Sequence, residues 1–349
     1  MEPYYYRQMD RARQSAYHAM KTGLTALSPT FSVPRLESHV LSDVFFQLRL
    51  DHPEIFYATG FSYRYYDNAS TIELSPTYLF DKGKIREHQK ALSARAAKLV
   101  RPAQELDELG REQYVHDFIC RSVRYDKLKK PYSHEIIGPL GQGVGVCEGI
   151  AKSVKLLCDA LGLWCVIAVS EAAPEQGVKY RHAWNILRLE GRYYHLDATF
   201  DNSLGLDGLI RYDYFNLDDR QLFRDHQRPL YPLPACSDGA RAYYREKKLS
   251  FTKPEEAARR AAQAARKGQD LVFHWRGGCL TREVLMQLMT LMEEEARRRD
   301  RHVRLSVNWP QAVVQVSFSR EIPGAALVSQ EANAGEQSDG AGEPGGGEV

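Results

Sequence analysis

The stretch Gly145-Val146-Cys147-Glu148-Gly149-Ile150-Ala151, followed by Arg181-His182-Ala183-Trp184-Asn185 and Tyr194-His195-Leu196-Asp197-Ala198-Thr199, decides how this chain is read. It supplies a cysteine, a histidine and an aspartate in an order suited to a thiolate nucleophile. After Cys147, apolar residues recur at Ile150, Val154, Leu157, Cys158 and Leu161, a helical period that Gly162 ends. The preceding Gly141-Gln142-Gly143-Val144-Gly145 reads as a turn, so the helix starts at or just before Cys147. In that first turn the positive end of the backbone dipole and the unpaired N–H groups favour a thiolate.

Leu163 to Val169 predicts a buried strand, and residues 180–189 and 192–200 predict two more, joined across Glu190-Gly191. With a two-residue turn, Leu189 pairs with Arg192 and His182 lies opposite Thr199. Asp197 is then a diagonal neighbour on the same face, roughly 7–8 Å from His182 between backbones and within reach of its ring. The chemistry this spacing suggests has Cys147 attacking a carbonyl carbon while His182 holds and returns the proton. Asp197 orients the ring and stabilises its charged form. The oxyanion takes the backbone N–H of Cys147, with the side chains of Gln142 and Trp184 as further candidate donors.

The blocks GVCEGIA, RHAWNI and YHLDATFD resemble the transglutaminase-like superfamily, in particular bacterial members with a papain-like core. The resemblance runs over residues 110–228 and takes in Tyr214-Phe215-Asn216-Leu217-Asp218 and Asp225-His226. It implies an α+β fold in which a Cys-bearing helix packs on an antiparallel sheet carrying the His and the Asp. Cys147 matches the nucleophile, His182 the base and Asp197 the third member. The implied activity is acyl transfer at a peptide, isopeptide or side-chain amide through a thioester on Cys147, with hydrolysis slightly ahead of transamidation. The implied substrate is a protein or peptide, and no cofactor is needed. Ile150 departs from the pattern, since many relatives carry Tyr there, and a hydroxyl is lost beside the nucleophile. Two other readings compete: a catalytically silent peptide-binding or scaffold module that keeps the fold, and an amidase acting on a glycan-bearing side chain.

Several nearby residues have plainer uses. Cys158 and Cys165 sit in apolar settings and read as small hydrophobes. His195 reads as a packed or hydrogen-bonded strand residue, Trp184 and Tyr193 as core or site wall, and Asn185 as a partner of nearby backbone. Asp201 is a possible competitor for the place of Asp197. No Cys-x-x-Cys or His-x-x-x-His pair occurs, and Cys147 and Cys158 lie about three helical turns apart, roughly 16 Å, so a zinc site is not expected.

With 47 basic and 45 acidic residues in 349, the charge balance asks for neither nucleic acid nor an anionic membrane. Six cysteines without regular spacing fit a reducing compartment rather than a disulfide framework. Met1 to Thr25 lacks an apolar core of roughly 7–15 residues, and no run of roughly 18 apolar residues occurs elsewhere. These features lead us to expect a cytoplasmic protein that does not engage membranes.

The expected organisation has four parts. Residues 1–105 hold helices over 4–27, 35–50 and 82–99, with a hairpin around Asp67-Asn68; a helix over 104–123 leads into the core. Residues 106–230 form the transglutaminase-like core, which a proline-spaced linker ends. Residues 250–320 form a small α/β module with helices over 255–267 and 281–298 and strands over 270–275, 302–307 and 312–318. Residues 321–349, rich in Ala, Gly, Glu and Ser without periodicity, are expected to be disordered.

Overall fold

The computed structural model describes residues 3–205 and 208–320; the expected tail over 321–349 lies outside the described residues. The chain opens with α1 (Tyr4–Gln8) and α2 (Arg11–Thr25), which the sequence pattern merges into one helix. The break falls at Met9-Asp10, where the Asp10 carboxylate caps α2 by accepting from the N–H of Arg13. Strand β1 (Phe31–Pro34), missed in the sequence, follows, then α3 (Ser38–Asp51). Strands β2 (Ala58–Tyr65) and β3 (Thr71–Tyr78) form the expected hairpin, and β1 adds to it in the order β1-β3-β2.

Helices α4 (Lys82–Val100) and α5 (Glu108–Ser122) lead to β4 (Arg124–Tyr125), which pairs in parallel with β5 (Val144–Gly145). Between these strands lie a short turn at Pro131–His134 and a π-helical turn at Ile137–Gln142. Helix α6 (Cys147–Ala160) comes next, starting at the cysteine as expected. Gly145 and Gly149 explain the close fit of its first turn. A Cβ at Gly149 would stand 2.2 Å from the carbonyl oxygen of Ser133, and one at Gly145 would stand 2.6 Å from the Pro139 ring. Ser133 O in turn accepts the N–H of Val146 at 3.0 Å, so the helix start is hydrogen-bonded to the turn it presses on.

The sheet facing α6 has the order β6-β7-β8-β9 and is antiparallel throughout. Its strands are β6 (Trp164–Ser170), β7 (His182–Leu189), β8 (Arg192–Leu196) and β9 (Phe215–Leu217). Glu190 and Gly191 both have positive φ, 49° and 80°, as a two-residue turn matched to strand twist requires. Leu189 pairs with Arg192 as the sequence predicts. The second strand is shorter than the expected 192–200: pairing stops at Asn185 with Leu196, and His182 pairs with Ser170 rather than Thr199. The chain turns into α7 (Ala198–Leu204) because Asp197 caps that helix, accepting from the N–H groups of Thr199 and Phe200.

Beyond β9 come α8 (Asp219–Leu222), α9 (Tyr243–Glu246) and β10 (Ser250–Phe251). Then α10 (Pro254–Lys267), β11 (Leu271–Trp275), α11 (Arg282–Arg297), β12 (His302–Asn308) and β13 (Val313–Ser319) form a sheet ordered β10-β11-β13-β12 with two helices. Ala257, Ala261, Phe273, Leu288, Met292 and Val314 are in its own core. The largest core spans Met9 to Phe215, so the N-terminal helices and hairpin share buried surface with α6 and β7. Among the described residues no helix is long and apolar enough to cross a membrane.

Candidate active site

Three elements deliver the three residues. Cys147 is the first residue of α6, His182 the first of β7, and Asp197 the cap of α7 immediately after β8. His182 Nε2 lies 2.6 Å from Asp197 Oδ2, and the Cys147 side chain is near enough to the ring to add to the rise in its pKa. With Nε2 turned to Asp197, Nδ1 is the nitrogen left for the sulfur. The structure brings His182 and Asp197 together by a route the sequence reading did not foresee: Asp197 reaches His182 from a helix cap, not from a paired strand position.

The electrostatics follow from burial and partners. Burial opposes charge on His182, yet the Asp197 carboxylate outweighs it and, with the Cys147 contact, raises the ring to about 10. Burial alone would push the Asp197 carboxyl up, but His182 and His226 hold it well below its ordinary range. Its other oxygen accepts the N–H groups of Thr199 at 2.9 Å and Phe200 at 3.0 Å. Asp197 is thus a fixed carboxylate with four donors.

Trp184 does not serve as an oxyanion donor, contrary to the sequence expectation. It is buried, and its indole N–H is committed to His195 Nδ1 at 3.1 Å. Its ring instead stacks beside His182, with centroids 5.9 Å apart and planes 17° from parallel. His195 passes the chain of bonds on to Asp219 Oδ1 at 2.8 Å, a structural role. Gln142 stands exposed at the end of the π-helical turn. Asn185 donates to the carbonyl of Ala151 at 3.0 Å, and Asp201 bonds His116 at 3.0 Å, so neither replaces Asp197. Ile150 is buried on the inner face of α6.

Two residues near the triad were not singled out in the sequence. His226 Nε2 lies 2.9 Å from the same Asp197 Oδ2 that binds His182; Asp225-His226 appears only as one block of the family resemblance, with nothing in its spacing to join it to Asp197. Tyr125, on the short strand β4, is close enough to Cys147 and Asp197 for their charge, added to burial, to push its phenol up to about 12. Its side chain is exposed at 39%.

The ligand atoms of His182, Asp197 and His226 lie within 4.8 Å of one another, as do those of His195, Asp219 and Cys236. In both groups the imidazole nitrogens that face a carboxylate are at hydrogen-bond distance from it. An ion would have to displace protons that already satisfy the carboxylates.

Residues 93–198 match the family model of the transglutaminase-like superfamily. The match contains Cys147, His182 and Asp197 and ends one residue beyond the last. A search of curated proteins finds no match for the sequence. Among solved structures, a transglutaminase is 13% identical with a TM-score of 0.28, over 41% of this chain and 44% of that one. A protein from Cytophaga hutchinsonii, titled as a candidate cysteine protease, is 15% identical with a TM-score of 0.26, over 43% of this chain and 64% of its own. Menin, titled with a binding site for the mixed lineage leukemia protein, is 15% identical with a TM-score of 0.24, over 61% of this chain and 42% of its own. The chain spans less than two thirds of the length of each of these neighbours.

Proposed function

We propose that this transglutaminase-like chain is a cysteine-nucleophile acyl-transfer enzyme acting on an amide of a protein or peptide. The observation that carries this reading is the His182 ring held by the Asp197 carboxylate, Nε2 at 2.6 Å from Oδ2, with Cys147 at the start of α6 near enough to shift the ring. In the first step the Cys147 sulfur attacks the carbonyl carbon, the C–N bond breaks, and His182 gives its proton to the departing amine. A thioester remains on Cys147. In the second step water attacks the thioester while His182 takes a proton, and the sulfur leaves as the acid is released. A primary amine in place of water would give the transamidated product by the same route.

The tetrahedral oxygen of each step is met by the backbone N–H of Cys147 at the start of α6, with Gln142 as the side-chain donor. By the family resemblance, hydrolysis is placed slightly ahead of transamidation.

The test uses a p-nitrophenyl ester of an acylated amino acid, quenched in acid and read by intact mass. An acyl adduct on Cys147 that is absent from Cys147→Ala, and that clears to free acid faster than a millimolar-range primary amine captures it, supports the proposal. No adduct, or an adduct that persists in Cys147→Ala, contradicts it.

A further inference from the structure

We infer that His226 is a positioning residue for this site, a buried cation wedged between the carboxylates of Asp197 and Asp225 that holds Asp197 against His182. The inference rests on the acyl-transfer reading and gives a role to a residue beyond the family match.

The geometry specifies the protons. His226 Nε2 lies 2.9 Å from Asp197 Oδ2, and Nδ1 lies 2.7 Å from Asp225 Oδ1. A neutral ring has one N–H and one lone pair, so it would set a lone pair against a carboxylate oxygen in a dry site. Both contacts are satisfied only when both nitrogens carry protons. Asp225 is held as an acceptor: the Tyr214 hydroxyl donates to it at 2.6 Å, and Gln311 Nε2 lies 3.2 Å from both of its oxygens. Burial opposes the charge on His226, but the bonds to Asp197 and Asp225 raise it above its ordinary value.

The groups around the ring are few. Asp197, Asp225, His182 and the Tyr214 ring face it, and Trp184 and Phe200 close the remaining sides, with the Phe200 centroid at 4.5 Å. His195 also senses it: after burial, the opposing bond and charge of Asp219 are joined by the His226 charge, which lowers His195 further.

The consequence concerns the base. Asp197 divides its charge between two rings, so a cation at His226 weakens the hold of Asp197 on the His182 proton. That keeps His182 able to return the proton to a leaving amine. Removing the cation leaves Asp197 to His182 alone, and His182 then stays protonated to a higher pH. Asp225→Asn acts in the same direction, because His226 loses the second carboxylate that keeps it charged.

The experiment uses the full chain carrying histidine labelled with carbon-13 at Cε1, with the His182 and His226 resonances assigned by their loss in His182→Ala and His226→Gln. We expect the His226 ring to be an imidazolium at about pH 7, and the His182 midpoint to rise by about one pH unit, a tenfold change in its acid constant, in both His226→Gln and Asp225→Asn. A neutral His226 at that pH in the unaltered chain overturns the inference, and so does a His182 midpoint unchanged in either variant that folds. Selective alkylation of Cys147 by iodoacetamide in the unaltered chain, measured alongside, separates the two failures: its absence rejects the acyl-transfer reading, whereas its presence with an unmoved His182 midpoint rejects only the wedge.

Discussion

Asp197 accepts four hydrogen bonds on two oxygens, and that crowding governs how the site responds to pH. His182 is raised from 6.5 to about 10, so its contribution to stability is complete below its ordinary value and is lost as pH rises through about 10. Asp197 is depressed, so its contribution is present above its ordinary value of 3.8 and is lost on acidification toward its lowered one. The melting temperature of the unaltered chain, compared with that of His182→Gln, is therefore expected to differ most between about pH 4 and 6.5 and to converge above about pH 10. A difference that grows with alkali would contradict the assigned partners. Asp197→Asn should be costlier than its size suggests, because its amide would turn N–H toward two rings that already donate. We expect a loss of about 1–3 kcal/mol in denaturant unfolding together with slowed alkylation of Cys147. The pairing of His182 with Asp197 was legible in the sequence because their types and order suit the proposed chemistry. His226 was not, since a hydrogen bond to a carboxylate 29 positions earlier leaves no periodic trace.

Helix α6 starts at the nucleophile because the chain before it is pinned from two sides. Val146 is hydrogen-bonded to Ser133, and Gly149 lets the first turn lie against the Ser133 carbonyl. Gly149→Ala is expected to force the turn away from Pro131–His134, at a cost of about 1–3 kcal/mol, and to slow Cys147 alkylation more than a surface substitution of equal stability cost. One turn along, Lys152 Nζ lies 2.8 Å from Glu135 and 2.7 Å from Glu148, with Arg49 of α3 bonded to Glu135. Lys152→Met leaves the buried Glu135 and the half-buried Glu148 with too little positive charge, and we expect roughly 3–5 kcal/mol of destabilisation by denaturant titration. At this level the hairpin register was readable from Glu190-Gly191, since turn length fixes pairing. The end of β8 was not, because apolar alternation through Ala198 and Phe200 looks like strand. The capping preference of Asp197 is the competing signal, and it prevails by satisfying two backbone donors at once.

Across the molecule, polar bonds tie the last sheet to the site. Gln311, in the turn between β12 and β13, reaches Asp225 and the carbonyl of Gln221, while Asn308 donates to Asp213 at 3.0 Å and Arg211 to Gln315 at 3.0 Å. These contacts are buried, so loss of one partner leaves others unsatisfied. Gln311→Leu is expected to lower stability by about 1–3 kcal/mol by thermal unfolding, with the α10–α11 core intact. Helices α10 and α11 and strands β11, β12 and β13 were visible in the sequence from their periods and caps, while the two-residue β10 was not. Where the region docks was not, because Asp213, Asp225, Asn308 and Gln311 are polar residues far apart in the chain whose pairing follows from the packed surfaces alone.

The most direct measurement is limiting iodoacetamide labelling of the full chain at about pH 6, with mass mapping of every cysteine, in the unaltered protein and in His182→Ala. We predict that Cys147 is labelled ahead of Cys120 and Cys279, the other cysteines not fully buried, and that this preference collapses in His182→Ala. Equal labelling of these thiols, or a Cys147 signal indifferent to the loss of His182, would contradict an activated nucleophile.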